Sequence, residues 1–496
     1  MLAEQAIAFK RAAMRRPLAL LLLTMLALAA TSCHREPQGA IKVVVIGSPP
    51  EIRDAAAQPL TPGDAVLLQN VAQGLVRFHP SGNIVGGLAE RWNVSDDGLS
   101  YIFRLASAQW PDGKKVTADQ VARIFKRQLA ERSRNPLRDA LGAVEDVIAM
   151  TDRVIEIQLV APRPALLSQL AQPEMAILRD REGTGPFKAT RTGDQWQLKR
   201  DILGNDDEPV RHEEVLLNAG TPADAIRAFA GANVNLVLGG TFADLPLAQR
   251  VKLQRNALRF DPASGLFGLA AARAGGPFDK PEIRRLLAQS IDRGNFVAAL
   301  AVPGLAARAT VLEPGLADVP APVSPAWFTS PLGDRLAALR ADSNRLLGAT
   351  KPVVRVSVPV GPGGDLLLQE LTRDWGMIGL TVERSSPAEA PDFILIDEVA
   401  PSTSAAWFVR RFRCGLVAVC DAQADELMNA ARETPVPAQR YALLFLAAGR
   451  IDAAQLFIPI TAPVRWSLVS DRVQGFAGNR YARHTLTDLD QRPNGD

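Results

Sequence analysis

The stretch RWNVSDDGLSYIFRLASAQWPDGKKVTADQV (residues 91–121) decides the fold of one part of this chain. RWNV predicts a strand, SDDG predicts a turn in which glycine takes a positive φ, and YIFRL predicts the alternating return strand. WPDG predicts a second turn, in which proline fixes φ. Together these segments predict an antiparallel hairpin that leads into a helix.

The helix of this stretch is predicted to begin at Thr117. Thr117 is the N-cap and Gln120 stands three residues later, which is the spacing of a capping box. Val116 and Val121 have the spacing of a hydrophobic staple across the same helix start. These local signals predict a well-defined first turn.

The acidic residues of the stretch call for a comparison with calcium loops. Counted from Asn93, Asp97 and Gly98 fit the fifth and sixth positions of an EF-hand loop. The twelfth position needs a bidentate glutamate and is Arg104, whose positive charge opposes Ca²⁺. We therefore interpret the carboxylates as turn residues and predict no metal site.

Length and composition indicate a globular protein of several domains. The chain has 496 residues, of which 47% are apolar and 22% are charged. At about 150 residues per domain, this length predicts two or three domains. The composition is neither that of a disordered chain nor that of a multi-span membrane protein.

The amino-terminal segment predicts a secretory signal. Basic residues precede the uncharged run PLALLLLTMLALAA (residues 17–30), which is shorter than the ~20 residues of a spanning helix. Small residues then lead to AATSC, which resembles the lipobox of bacterial lipoproteins, with Ala30 where leucine is usual. We predict cleavage before Cys33 and lipidation of its thiol; an ordinary signal peptide cut nearby is the alternative.

The positive charge of the chain belongs to that signal. Residues 1–32 carry four basic residues and one acidic residue, which accounts for the formal charge of +3 of the whole chain. The remainder is formally neutral, so the sequence gives no argument for nucleic-acid binding.

The remaining cysteines, Cys414 and Cys420, lie in RCGLVAVCD. Their C-x5-C spacing is not the C-x-x-C of zinc and redox sites. Because disulfides persist outside the cytoplasm, we predict a local disulfide between them, with two buried thiols as the alternative.

Motifs for catalysis are missing from the sequence. No histidine stands beside another histidine or a cysteine at ligand spacing, and there is neither a G-x-S-x-G elbow nor a P-loop. GPGGD (residues 361–365) either cradles an anion with its backbone N–H groups or forms a tight strand-to-helix turn, and we favour the turn. We predict no catalytic residue and no cofactor, and therefore no enzyme.

Several segments follow the order of one known family. They are AQGLVRF through VARIFKR, GTGPFKA, AFAGANVNLVLGG, PFDKPEIRRLLAQSIDR and LFIPITAPVRWSLVSDRVQGF (residues 72–127, 183–189, 228–240, 277–293 and 456–476). Through them the chain resembles the peptide/nickel-type (family 5) extracellular solute-binding proteins of ABC transporters.

The resemblance implies an α/β fold with two lobes. This is the type II-like periplasmic binding protein fold of family 5, or cluster C, with an extra domain in the first lobe. Domain I would be discontinuous, with residues 41–64, 184–258 and 467–490. Domain II would span residues 65–183, and domain III would span residues 259–466.

The resemblance also implies a function. A monomer would close on a peptide or peptide-like solute in the cleft between the lobes and deliver it to the permease subunits of an ABC transporter. It would lie in the periplasm, attached to a cell-envelope membrane only through the lipid anchor. The alternatives are a non-transport envelope binding protein, acting as a sensor or chaperone on the same fold, and a hydrolase of envelope material.

The family suggests where ligand would bind. Its peptide-binding members carry a tryptophan and an aspartate after a buried strand, and the aspartate holds the amino group of the peptide. Here Glu398 and Pro401 stand at those places, so the usual amine anchor is missing. Asp397 or Glu398 would substitute for it, or both lie at a solvated strand end.

Three further residues are candidates for contact with ligand. Trp407 and Trp327 would line the cleft, or pack in the core or between the lobes. Glu51 follows the first strand, where family members approach ligand, or is a solvated loop carboxylate.

Overall fold

The computed structural model describes residues 39–204, 208–386 and 389–491. The predicted signal segment and the predicted lipidation site Cys33 lie outside these residues. Within these ranges, no helix combines the length and the hydropathy needed to cross a membrane.

The described residues form 20 strands. In chain order the strands are β1 Ile41–Ile46, β2 Val76–Phe78, β3 Ile84–Gly86, β4 Ala89–Val94, β5 Ser100–Leu105, β6 Val144–Thr151, β7 Val154–Leu159, β8 Lys188–Thr192, β9 Gln195–Leu203, β10 Pro209–Gly220, β11 Leu236–Thr241, β12 Leu258–Phe260, β13 Gly265–Ala271, β14 Val353–Ser357, β15 Thr381–Arg384, β16 Phe393–Val399, β17 Phe457–Thr461, β18 Arg465–Val469, β19 Val473–Gln474 and β20 Asp490–Gln491.

The α-helices cover the sheets and form much of the carboxy-terminal half. They are α1 Pro62–Val71, α2 Ala118–Leu129, α3 Leu166–Leu170, α4 Pro222–Ala230, α5 Leu245–Gln249, α6 Pro281–Gln289, α7 Arg293–Leu300, α8 Leu332–Leu347, α9 Pro362–Gly376, α10 Ala405–Arg410, α11 Ala422–Glu433 and α12 Pro437–Ala454. Short 3-10 turns lie at Pro173–Met175, Pro277–Asp279 and Ala326–Thr329.

The largest sheet has seven strands in the order β12-β18-β11-β1-β10-β9-β8. Its central strand β1 runs parallel to both β10 and β11. Val43 and Val45 pack into one apolar core, and Val44 and Ile46 pack into another on the opposite face. A continuous apolar run is what a parallel strand covered on both faces requires.

Residues 91–121 fold as predicted. β4 and β5 form a hairpin within the antiparallel sheet β4-β5-β7-β6, and α2 packs against β6. The Gln120 N–H donates to Thr117 Oγ1 at 3.4 Å, and the Thr117 N–H donates to Gln120 Oε1 at 3.3 Å. The capping box is therefore confirmed, and Val116 and Val121 beside it are both buried.

The third sheet has the order β15-β14-β16-β13-β17. β14, α9 and β15 form a βαβ unit, with β14 and β15 parallel. In the GPGGD segment Gly361 is the N-cap of α9 and residues 362–365 form its close-packed first turn, where a Cβ at Gly363 would collide with the backbone oxygen of Phe242. The turn interpretation thus has a packing reason.

Helix α1 ends at Val71, and its C-cap residue is Ala72 and not a glycine. The Gly185 N–H donates to the Val71 carbonyl at 3.0 Å, and the Phe187 N–H donates to the Asn70 carbonyl at 2.9 Å. The GTGPFKA segment therefore caps the helix from elsewhere in the chain. A Cβ at Gly185 would collide with the Val71 backbone, which explains why glycine is needed there.

Candidate ligand-binding cleft

A cavity of about 310 Å³ lies between two distant parts of the chain. One wall comes from residues 136–169, around β6, β7 and α3 of the four-stranded sheet unit. The other wall comes from residues 317–444, which include α10, α11 and the start of α12. Ligand sites occur preferentially between such units, so this cavity is the candidate site.

An ion pair joins the two walls. Arg410 Nε donates to Asp139 Oδ2 at 2.7 Å, and Arg410 Nη2 donates to Asp139 Oδ1 at 2.5 Å. Arg413 Nη1 donates to the same Oδ1 at 2.8 Å. Burial works against the charged form of Asp139, but the hydrogen bond from Arg410 and the positive charges of Arg410 and Arg413 outweigh it. The pKa of Asp139 therefore lies below its ordinary value.

The second carboxylate of the cavity is held inside one wall. Asp318 accepts hydrogen bonds from Ser404 Oγ and from the Ala405 N–H, each at 2.7 Å, at the start of α10. Arg440 Nη1 donates to Asp318 at 3.3 Å. Asp318 thus fixes the start of the helix that carries Trp407 and Arg410.

Arg163 reaches across the cavity from the other wall. Its Nη1 donates to the Pro162 carbonyl and its Nη2 donates to the Arg432 carbonyl, each at 2.9 Å. Burial, followed by the positive charges of Arg440, Arg410 and Arg432, lowers the pKa of Arg163 to about 10. Around Arg163 the positively charged side chains therefore outnumber the negatively charged ones.

Of the residues singled out from the sequence, Trp407 lines this cavity. Its ring packs edge-on against Phe408, with centroids 5.0 Å apart. Glu398 lies beside the cavity, because it pairs with Arg411, which is one of the lining residues. Asp397 pairs with Arg465 Nη1 at 2.7 Å, and burial raises its pKa against the opposing charge of Arg465.

Two other candidates lie away from the cavity. Glu51 forms an ion pair with Arg53 at 3.0 Å. Trp327 packs under two guanidinium groups, whose carbons lie 5.2 Å (Arg293) and 5.3 Å (Arg335) from the ring centroid. The ligand-binding roles of Glu51, Asp397, Glu398, Trp407 and Trp327 stay predictions.

The predicted disulfide between Cys414 and Cys420 is present, with Cα atoms 5.2 Å apart. It closes a short loop directly after Arg413. Leu416, within the loop, is 62% exposed and lines the cavity. The disulfide therefore holds one apolar edge of the cleft in place.

The arginines of the cavity carry no motif in the sequence. The dense basic run RRFR (residues 410–413), just after Trp407, is the signal that could have drawn attention to one wall. Arg163 and Arg432 stand alone among ordinary residues, more than 260 positions apart. Only the packing of the two walls reveals that they meet.

Comparison with known proteins gives matches over most of the chain. The family model described as bacterial extracellular solute-binding proteins, family 5 Middle, matches residues 83–388. A probable deoxycholate-binding periplasmic protein of Escherichia coli is 28% identical over 159 residues, covering 28% of this chain and 29% of that protein. A putative ABC transporter peptide-binding protein of Brucella ovis is 29% identical over 133 residues, covering 23% and 25%.

These alignments span less than a third of each curated relative. Structural likeness extends much further. The crystal structure of Haemophilus influenzae OppA in complex with RPPGFSPFR superposes with a TM-score of 0.77 at 15% identity, covering 92% of this chain and 99% of that chain. At this identity the likeness shows a common fold, the two-lobed α/β architecture.

Proposed function

The chain belongs to the bacterial extracellular solute-binding proteins of family 5, and from this premise we propose that it is the solute-binding component of an ABC transporter. Its solute would be a peptide or a peptide-like molecule, captured between the lobes. The resemblance read from the sequence is thus confirmed, and so is the two-lobed α/β fold. Proteins of this family are periplasmic binding proteins for transport, and we propose capture without bond breakage.

The cavity between residues 136–169 and 317–444 carries this proposal. Besides the Asp139–Arg410 pair, Gln172 Nε2 donates across to the Pro401 carbonyl at 2.9 Å. Moving the walls apart would break these contacts, and bringing them together would form them around a solute. This is the behaviour expected of hinge closure.

The architecture supports the remaining parts of the proposal. We propose that the seven-stranded, four-stranded and five-stranded sheets are the centres of domains I, II and III. The limits are those predicted from the sequence, except that β12 and β18 of the seven-stranded sheet each extend two residues beyond the predicted limits of domain I. We also propose a monomer that is anchored to an envelope membrane through lipid on Cys33. Family membership favours delivery to a permease over the sensor, chaperone and hydrolase alternatives.

Native mass spectrometry of protein purified without refolding tests the proposal. We expect a series of co-purified peptides, and a thermal stabilisation when peptide mixtures are added back to emptied protein. A ligand at 100 times its Kd would stabilise the folded state by about 2.7 kcal/mol. Repeated recovery of empty protein with no thermal response to peptide mixtures would contradict a peptide ligand.

A variant that fills the cleft, with a matched variant on the surface as its control, tests whether the solute binds in this cavity. Ala406 lines the cavity, and Ala406→Trp would occupy space that the solute needs. Ala338→Trp introduces the same side chain on the exposed surface of α8. We expect the first variant to lose co-purified solute and the second to retain it.

A further inference from the structure

The charges that line the cavity are unbalanced. Five of the lining side chains are arginines and two are aspartates, namely Arg163, Arg410, Arg411, Arg432, Arg440, Asp139 and Asp318. Arg411 is also paired with Glu398 beside the cavity, so the surplus of positive charge comes from Arg163 and Arg432. The cavity therefore favours a solute with negative charge over one with positive charge.

Both aspartates are already occupied by the protein. Asp139 accepts from Arg410 and Arg413, and Asp318 accepts from Ser404, Ala405 and Arg440. A solute ammonium group would have to displace these partners. Among the lining residues described, no acidic side chain remains to anchor an amino group.

Several arginine side chains of the cavity, in contrast, keep donors that no carboxylate of the described residues engages. Arg410 meets Asp139 through Nε and Nη2, which leaves Nη1 on the far side of the guanidinium. Arg410 is only 8% exposed, and this Nη1 is buried with no hydrogen-bond partner in the described chain. A buried donor without a partner costs stability until a ligand or water satisfies it.

Arg432 and Arg163 are two further arginines of the cavity whose guanidinium groups have no acidic partner among the described residues. Within residues 39–204, 208–386 and 389–491, no salt bridge engages either guanidinium, and the Arg163 Nη donors reach only backbone carbonyls. The Arg432 carbonyl lies 2.9 Å from Arg163 Nη2, so the two residues approach each other across the cleft. A planar guanidinium matches a carboxylate in two parallel hydrogen bonds.

We propose that the cleft selects solutes by a carboxylate group, which Arg163, Arg432 and Nη1 of Arg410 bind, while the amino end of the solute is left unanchored. This inference rests on the proposed solute-binding function and names its chemical class. Apolar lining residues, among them Trp407, Leu416 and Leu444, would cover the body of the solute. The solute is thus an acid with an apolar body, and in the peptide case the carboxylate is its recognised end.

Isothermal titration with matched probes tests this inference. The probes are trileucine, its N-acetyl form, its carboxy-terminal amide and, as a non-peptide acid, 4-phenylbutyrate. We expect trileucine and N-acetyl-trileucine to bind alike and the amide to bind about tenfold more weakly or worse, because a charge-assisted hydrogen bond is lost. Affinity should also fall as salt is raised.

Variants assign the effect to the arginines. Arg432→Gln removes a side chain that makes no hydrogen bond to the described residues, so we expect normal folding, loss of most of the affinity for the acid, and little preference over the amide. Arg432→Lys keeps the charge without the planar fork and should give an intermediate affinity. Arg123→Gln, on the exposed face of α2, is the control and should bind as the parent protein does.

The outcomes separate this inference from the proposed function. If the amide binds as tightly as the acid, or if N-acetylation alone abolishes binding, the carboxylate inference is overturned and peptide capture stands. If 4-phenylbutyrate binds in an Arg432-dependent way and no peptide binds, the inference holds and the peptide solute is wrong. Binding of none of the four probes would overturn the carboxylate inference, and the response to peptide mixtures would then decide the proposed function separately.

Discussion

Asp139 and Arg410, which are 271 positions apart in the chain, meet in a two-point ion pair that joins the two walls of the cleft. The pair uses the Nε–Nη2 edge of the guanidinium, and Nη1 is buried without a hydrogen-bond partner among the described residues. A single side chain thus takes part both in joining the walls and in the proposed recognition.

Replacing Asp139 with asparagine should destabilise the protein by about 1 kcal/mol at neutral pH. The replacement leaves the buried Arg410 without its charged partner, but the Asp139 side chain is 41% exposed, so solvent reduces the effect. Urea unfolding of the parent and the variant at pH 7 gives the difference.

The effect should depend on pH in a defined direction. Because the folded pKa of Asp139 lies below its unfolded value of about 3.9, its contribution is complete above that value and is lost as pH falls through the folded pKa. The gap between parent and Asp139→Asn should therefore close in acid. A gap of constant size from pH 7 to pH 2 would contradict this account.

Replacing Asp452 with asparagine should stabilise the protein in alkaline solution. Burial raises the pKa of Asp452 to about 7, against the opposing hydrogen bond from the Val311 N–H to Oδ1 at 2.8 Å. The folded state therefore holds a proton that the unfolded state releases near pH 3.9, so stability falls as pH rises from about 4 to 7 and then levels off. At roughly 1.4 kcal/mol for each pKa unit, the loss amounts to about 4 kcal/mol.

Asparagine keeps the oxygen that accepts from Val311 and has no charge to bury. We expect the Asp452→Asn variant to exceed the parent at pH 8 and to approach it near pH 4, as measured by urea unfolding at both values. Asp342→Asn, in an exposed ion pair on α8, is the control and should lack this trend. Equal stability of Asp452→Asn and the parent at pH 8 would show that the folded protein tolerates the charge.

Removing the disulfide with Cys414→Ser and Cys420→Ser together should lower the free energy of unfolding by about 2 kcal/mol. The closed loop is short, so the loss of unfolded-state entropy that it imposes is at the low end for disulfides. Chemical denaturation of the parent with and without reductant should give the same difference. Alkylation of unreduced, unfolded protein that labels both cysteines would rule out the bridge.

Replacing Thr117 with alanine should cost about 1 kcal/mol, because the capping box at the start of α2 loses its hydroxyl acceptor. Thr192→Ala, at the exposed end of β8, is the matched control and should have little effect. Thermal unfolding of the three proteins gives the comparison. A Thr117→Ala variant as stable as the control would mean that water replaces the cap without loss.

The part of the fold that the sequence predicts best is the part specified by near neighbours. The turns, the return strand and the cap around Thr117 depend on residues within a few positions of one another, and the structure has them all. The end of α1 depends instead on Gly185, which no local pattern around Val71 announces. The end of α1 is therefore fixed by packing against a distant segment, which the residues around Val71 do not predict.

The candidate site depends almost wholly on contacts between residues that are far apart in the sequence. Trp407 was predicted as a cleft residue because the family resemblance pointed to its segment. Arg163 and Arg432 gave no such signal, since an arginine has the same appearance in sequence whether it is solvated or turned into a cavity. Their proximity follows from how the four-stranded and five-stranded units face each other, which depends on packing between the units.

The strand order β12-β18-β11 has a consequence for the folding of the chain during its synthesis. β18, Arg465–Val469, is inserted between two strands made more than 200 residues earlier. Until it arrives, both β11 and β12 present unpaired edges, which invite association with other chains. Nearly the whole polypeptide must therefore be present before its largest sheet is complete. A chain that ended before residue 465 would leave β11 and β12 without the strand that pairs with both.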